Sequence, residues 1–246
     1  MKIDLNCDMG ESFGRYRLGD DAAVMPFISS ANIACGLHAG DPTVMRSTVK
    51  LAVENGVAIG AHPGWPDLQG FGRREMNLGQ DEVEAFLIYQ VGALAAFAKA
   101  EGTLLRHVKP HGALYNQAAK ERTLALSIAR AVERFDKDLI LVGLAGSALI
   151  ACGLELGLRV ANEGFPDRRY NPDGTLVSRM EANAVLESPE EVAANAVTLA
   201  QKGINFAGQR VQVDTLCLHG DNPHAAENAR LVRDALVKNG IEVKAL

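Results

Sequence analysis

The feature that most narrows the fold of this chain is a repeated unit: a short strand-forming run, a polar motif rich in glycine and histidine, then a helical stretch. The strand runs are Lys2–Asn6, Ser30–Cys35, Val57–Ala61, Arg106–Lys109, Leu139–Val142, Arg159–Glu163 and Thr215–Leu218. Helical periodicity fills Pro42–Asn55, Gln80–Ala100, Glu121–Phe135, Gly146–Leu156, Pro189–Lys202 and Ala225–Asn239. Asp41-Pro42 and Ser188-Pro189 each give a helix a capping side chain and a proline at its first position. Gly56, Gly102, Gly157, Gly203 and Gly240 follow helices as C-cap residues do. Repeated βα units dictate parallel strands with right-handed crossovers. Seven of them predict a seven-stranded (β/α) barrel as one domain over residues 1–246, with a doubly wound open sheet as the alternative. A barrel needs roughly 250 residues, and no Pro/Ser/Gly tract divides the chain. Phe165–Glu187 breaks the rhythm with turn signals at Asn171-Pro172 and Asp173-Gly174. A connection that long predicts an active-site hairpin or lid.

In a barrel of this kind the catalytic face is built from the loops at the C-terminal ends of the strands. That is where the motifs fall. All six histidines lie in them: His38, His62, His107, His111, His219 and His224. The net charge of −5 has no like-charge block behind it, which argues against nucleic acid and membrane surfaces as partners. No apolar run approaches the roughly 18 residues a bilayer span requires. The N-terminus shows no signal-peptide pattern, so a cytoplasmic protein with Cys7, Cys35, Cys152 and Cys217 as reduced, buried thiols is expected.

Asp4, Asn6 and Asp8 alternate along the first strand, so they share a face. Asp4, the deepest, reads as a brace for the barrel, Asn6 as a substrate contact and Asp8 as an acid/base or metal-binding carboxylate. His38 and His62 end the next two strands and with Asp8 would make a His/His/carboxylate ligand set. Hydrogen bonding to substrate is their alternative role. Lys109, between His107 and His111, is the most chemically loaded position. Burial and neighbouring cations are expected to lower its pKa, and it suits an electrostatic clamp, a general acid or Schiff-base chemistry. His111 joins it as a catalytic candidate, while His107 lies one layer deeper. Glu163 closes a strand as a further catalytic candidate. Arg73, Asp167, Arg168, His219 and Asp221 suit recognition of a small anionic substrate. Lys109→Met is expected to lower turnover about 10²–10³-fold at near-native stability.

The strings DLNCDMGESFG, NIACGLHAGDP, GAHPGWPDLQGFGRR, VKPHGALYN, EGFPDRRY and CLHGDNP resemble, in order and spacing, the LamB/YcsF family. Trp65 stands where that family more often has tyrosine. The resemblance implies a barrel of the glycoside hydrolase/deacetylase type. It also implies opening of the lactam of 5-oxo-L-proline to L-glutamate, with ATP and Mg used at the level of a complex with two partner subunits. The chain has no G-x-x-x-x-G-K-[ST] run. That suits a division of labour in which partners activate the lactam and this chain hydrolyses it. Two rival readings remain: a metal-dependent deacetylase or carbohydrate hydrolase, and a binding subunit without chemistry. Self-association is left open.

Overall fold

Each barrel strand here is a run of four to eight residues with one or two β-branched side chains, flanked by residues that stop it. β1 (Lys2–Met9) is followed by Gly10 and a loop into the short helix α1 (Asp21–Val24) and a 3₁₀ turn at Met25–Phe27. β2 (Ser30–Ala34) leads to α2 (Pro42–Glu54), where Asp41 Oδ1 accepts from the amides of Thr43 and Val44. Then come β3 (Ala58–His62), α3 (Gln80–Ala100), β4 (Leu105–Val108), α4 (Gly112–Ala118) and α5 (Arg122–Phe135). β5 (Ile140–Leu144), α6 (Ala148–Glu155), β6 (Arg159–Gly164) and α7 (Pro189–Lys202) follow. The chain ends with a small antiparallel hairpin, β7 (Ile204–Phe206) and β8 (Gln209–Val211), then β9 (Thr215–Leu218), α8 (Ala225–Lys238) and β10 (Glu242–Val243). This computed structural model describes residues 1–177, 181, 184–186, 188–206, 208–220 and 224–246.

The strands run parallel in the order β1-β2-β3-β4-β5-β6-β9, and β9 pairs back onto β1, closing a seven-stranded barrel. β10 adds to β1 at Lys2 and Ile3, below the closed ring. The expected barrel is therefore present, and the open sheet is excluded by the β1–β9 pairing. Strand bounds move by up to three residues from the expected ones, chiefly because β1 continues to Met9 and β5 to Leu144. α3 is the one described helix long and apolar enough, by composition, to cross a bilayer, contrary to the expectation that no such run exists. Its Val83, Leu87, Val91 and Leu94 are buried against the barrel, the arrangement of a core helix.

The two faces of each strand bury different things. Outward-facing Leu139 and Leu141 join the large core between barrel and helices, whereas Ile140 and Val142 form a separate cluster with Ala161 and the C-terminal Leu246. On β1 and β2 the inward positions are polar. Asp4 accepts hydrogen bonds from the hydroxyls of Ser29 and Ser30 (both 2.7 Å) and Thr215 (2.5 Å), the bracing role expected of it. Buried polar groups persist at tolerable cost only when satisfied, and here most side chains of each layer bond to the next.

Candidate active site

Asn6 and Asn32 form the layer above Asp4. Asn6 Nδ2 donates to Glu163 Oε1 (3.0 Å) and Thr215 Oγ1 (2.6 Å), and its Oδ1 accepts from Asn32 Nδ2 at 2.6 Å. Asn32 Oδ1 meets His107 Nε2 at 2.7 Å. The same Asn32 amide donates upward to Asp8 Oδ1 at 2.9 Å. His107 fits only because Gly60 of β3 has no side chain: a methyl there would lie 2.0 Å from the imidazole Nε2. Asn6, expected to touch substrate, is thus sealed below the cavity, and His107 lies in the deep layer foreseen for it.

Lys109 emerges just past β4 into the next layer. Its three N–H groups are spent on Asp8 Oδ1 (2.9 Å), Glu163 Oε1 (3.0 Å) and Cys217 Sγ (2.9 Å). Burial works to lower its pKa, but the carboxylates of Asp8 and Glu163 more than reverse this and hold it well above the ordinary lysine value. That overturns the expected depressed pKa and removes the Schiff-base option, which needs a free amine. Asp8 is the complement. Burial would raise it, yet His62 and Lys109 outweigh burial and keep the carboxyl well below the usual range. Glu163 is wholly buried beneath Lys109 and does not line the cavity, so the expected catalytic contact is replaced by a hold on the ammonium.

A cavity of about 590 Å³ opens above this layer at the C-terminal ends of the strands. Asp8, Glu11, His62, Arg73, Lys109, His111, Arg168 and His219 are among its walls. On one side, His219 Nδ1 meets Asp167 Oδ2 at 2.6 Å while its ring stacks on Phe165. Asp167, expected on substrate, therefore orients a histidine instead. Arg73 lies 4.9 Å over the Phe71 ring, whereas Arg74 turns away to pair with Asp67. The segment after β6 supplies Arg168, Asn171, Thr175 and Leu176 to the wall, as an active-site hairpin would. Residues 178–180, 182–183 and 187 of that segment, and Asp221, lie outside the described residues. Arg169 does not line the cavity, and His224 is exposed at the start of α8.

On the opposite side four groups converge: Glu11, His38, His62 and His111 offer ligand atoms all within 4.8 Å of one another, a cluster able to hold a metal ion. This differs from the expected Asp8/His38/His62 trio. Glu11 and His111 join the histidine pair, and Asp8 Oδ2 stands 3.3 Å from His62 Nε2. Gln90 of α3 grips both N–H and C=O of Gly64 (2.9 and 3.0 Å), fixing the loop after β3. Phe71, at the left-handed φ of 55°, turns its carbonyl to His111 Nε2 at 2.8 Å. Gly72, at φ 63°, lets that turn lie directly on the His38 and His111 rings. Burial, then their mutual proximity, lowers the pKa of His38 far below the usual value and that of His111 to about 3.

Glu11 and Tyr115 are among the lining groups that the sequence did not single out. Glu11 lies in the loop beyond β1, and only the fold brings it 3.7 Å from His111 Nδ1. Tyr115 of α4 packs edge-on to Phe165, and burial, then the nearby Glu163, pushes its hydroxyl well above the usual tyrosine pKa. A tyrosine four residues after His111, one helical turn on, was the available signal.

The LamB/YcsF family profile matches residues 3–246. The chain is 55% identical over 249 residues to a protein from Tolumonas auensis named as one of the subunits of 5-oxoprolinase, covering 100% of this chain and 99% of that one. It is 54% identical to the protein of the same name from Pyrococcus furiosus, covering 99% and 97%. A crystal structure described as a lactam utilization protein from Thermus thermophilus superposes with a TM-score of 0.93 at 48% identity, covering 100% of both chains. A putative cellobiose-phosphate cleavage protein from Enterococcus faecalis shares the fold, with a TM-score of 0.57 at 13% identity. With the motifs aligned from β1 to the loop after β9 and the match running through the last residue, the chain belongs to the LamB/YcsF family.

Proposed function

We propose that this chain is the component of an ATP-dependent 5-oxoprolinase that opens the activated lactam of 5-oxo-L-proline to L-glutamate, acting with two partner subunits that use ATP and Mg. The observation that carries the reading is a carboxylate and a histidine, each held by a charged partner, that line one cavity. Asp8 is kept ionised by Lys109, and His219 is oriented by Asp167. A held carboxylate and an oriented imidazole in one cavity suit the base and the acid of a hydrolysis.

Asp8 Oδ1 is fixed by Lys109 and Asn32, and Oδ2, 3.3 Å from His62 Nε2, takes a proton from water as it adds to the carbonyl carbon. The C–N bond then breaks as the ring nitrogen takes a proton from His219 Nε2, because Nδ1 is committed to Asp167, and a second water releases the activating phosphate from the new carboxyl to leave glutamate. Arg73 and Arg168 are placed to hold the substrate's anionic groups. Lys109 works through Asp8, since its donors are already spent. A divalent metal held by Glu11, His38, His62 and His111 would supply Lewis-acid polarisation of a carbonyl. That same cluster favours a second reading, a metal-dependent hydrolase of N-acetylated sugars.

Purified chain with and without its partner subunits, assayed for 5-oxoproline-dependent ATP hydrolysis and glutamate release, separates these readings. Glutamate is expected only from the complete set. Lactam cleavage by the chain alone would remove the division of labour. Deacetylation of N-acetyl oligosaccharides by the chain, without glutamate from the complete set, would favour the second reading.

A further inference from the structure

His62 and His111 meet in an arrangement that two neutral imidazoles cannot sustain by themselves. His62 Nδ1 lies 2.8 Å from the Lys109 carbonyl oxygen, so it carries the proton and donates. His111 Nε2 lies 2.8 Å from the Phe71 carbonyl oxygen, so it too is the N–H. With both rings neutral, each remaining nitrogen presents a lone pair, and these two nitrogens, His62 Nε2 and His111 Nδ1, are 3.0 Å apart. Two facing acceptors at that distance need something positive between them. The surrounding atoms deepen the demand: Glu11 Oε1 is 3.7 Å from the same His111 nitrogen. His38 is buried with neither ring nitrogen hydrogen-bonded, its ring stacked 3.8 Å from that of His111.

We propose that His38, His62, His111 and Glu11 form a binding site for one divalent transition-metal ion, with Asp8 outside the ligand set. The 3.0 Å gap between the two nitrogens is what neighbouring ligands about 2.1 Å from a common metal at right angles would show. Backbone carbonyls holding the far nitrogens of ligating histidines are the usual device that fixes tautomer and ring orientation. Three imidazoles and one carboxylate select zinc, cobalt, nickel or iron(II) over magnesium or calcium, which take oxygen ligands. Asp8 stays outside the set because the ligand atoms that converge are those of Glu11, His38, His62 and His111, while Lys109 and Asn32 hold its Oδ1 and its Oδ2 faces His62 Nε2 at 3.3 Å. The glycines at 64 and 72 make the site possible: a methyl at Gly64 would sit 2.6 Å from His38 Nδ1 and one at Gly72 would crowd both His38 and His111. The site does not depend on the lactam reading of the cavity.

The test is metal uptake by the full chain after chelation, without any activity assay. Apo-protein titrated with Co²⁺ should bind one equivalent with visible ligand-field absorption, and Zn²⁺ should displace it. His38→Gln and Glu11→Gln, checked for native circular dichroism, should weaken binding by at least the roughly 10–100-fold that even outer partners of a ligand cost. Asp8→Asn should keep the wild-type affinity. No uptake by the wild-type apo-protein would mean that a shared proton joins His62 and His111, and would overturn the proposal. So would loss of uptake in Asp8→Asn with retention in Glu11→Gln.

Discussion

Lys109 shows how a single side chain can be read correctly as central and still be given the wrong energetics. The sequence places it at a strand end among histidines, which suggests a free cation aimed at substrate. In the fold those histidines are neutral, and the charges that face the ammonium are Asp8 and Glu163. Lys109→Met therefore strips the counterion from two buried carboxylates, and removing one partner of a buried pair costs about 3–5 kcal/mol. The variant should melt roughly 10 °C or more below wild type, not at near-native temperature, and glutamate release should fall about 10²–10³-fold. Adding Glu163→Gln should restore part of the lost melting temperature without restoring activity. Calorimetry and the coupled assay on both variants check this. A Lys109→Met protein as stable as wild type would show that the ammonium is not the clamp described.

At the scale of elements, the passage from β3 to β4 decides how the polar layers stack. The register between them slips at Ile59/Gly60, so that Gly60 pairs with His107, and the imidazole occupies the space a side chain would fill. Gly60→Ala should destabilise by about 1–3 kcal/mol, the cost of overpacking a full core, and should lower turnover because His107 holds Asn32 and Asn32 holds Asp8. Gly92 in α3 is the contrasting case. A methyl there meets only Phe135 at an ordinary 3.6 Å, so Gly92→Ala should raise stability by roughly 0.5–1 kcal/mol through helix propensity. Urea unfolding of the two variants should give shifts of opposite sign, and a neutral Gly60→Ala would refute the packing account. The seven barrel strands were legible because each pairs a short run containing a β-branched residue with a glycine-bearing stop. α4, with seven residues, and β10, with two, are too short for periodicity to show. Asp8, His62, Lys109, His111 and His219 were legible because strand ends point them one way. Glu11 and Asn32 were not: one depends on how a loop folds back, and the other is an amide in a run of small residues whose partners lie on other strands.

The whole molecule inherits a pH dependence from enclosing neutral imidazole in its barrel. His107 lies outside the metal-capable cluster, faces Lys109, His62 and Asp8, and is pushed down to about 3, first by burial and then by the charge of Lys109. Its unfolded value is about 6.5. The unfolded chain therefore takes up a proton below about pH 6.5 that the folded barrel refuses until about pH 3. Its contribution to stability is complete above the unfolded pKa and is lost as the pH falls through that window, at up to about 1.4 kcal/mol per pH unit. Between pH 7 and pH 5 the loss from this one residue is about 2 kcal/mol, or roughly 4–8 °C in melting temperature for a chain of this size. His107→Gln keeps an amide in reach of Asn32 Oδ1 but cannot titrate. Its melting temperature should start lower at pH 7 and then fall less steeply than that of the wild type on acidification, by about that 4–8 °C. Melting curves of both proteins at pH 7, 6 and 5 measure the difference directly. Parallel slopes would mean that His107 is protonated in the folded state, and the neutral hydrogen-bonded chain from His107 through Asn32 to Asp8 would have to be abandoned.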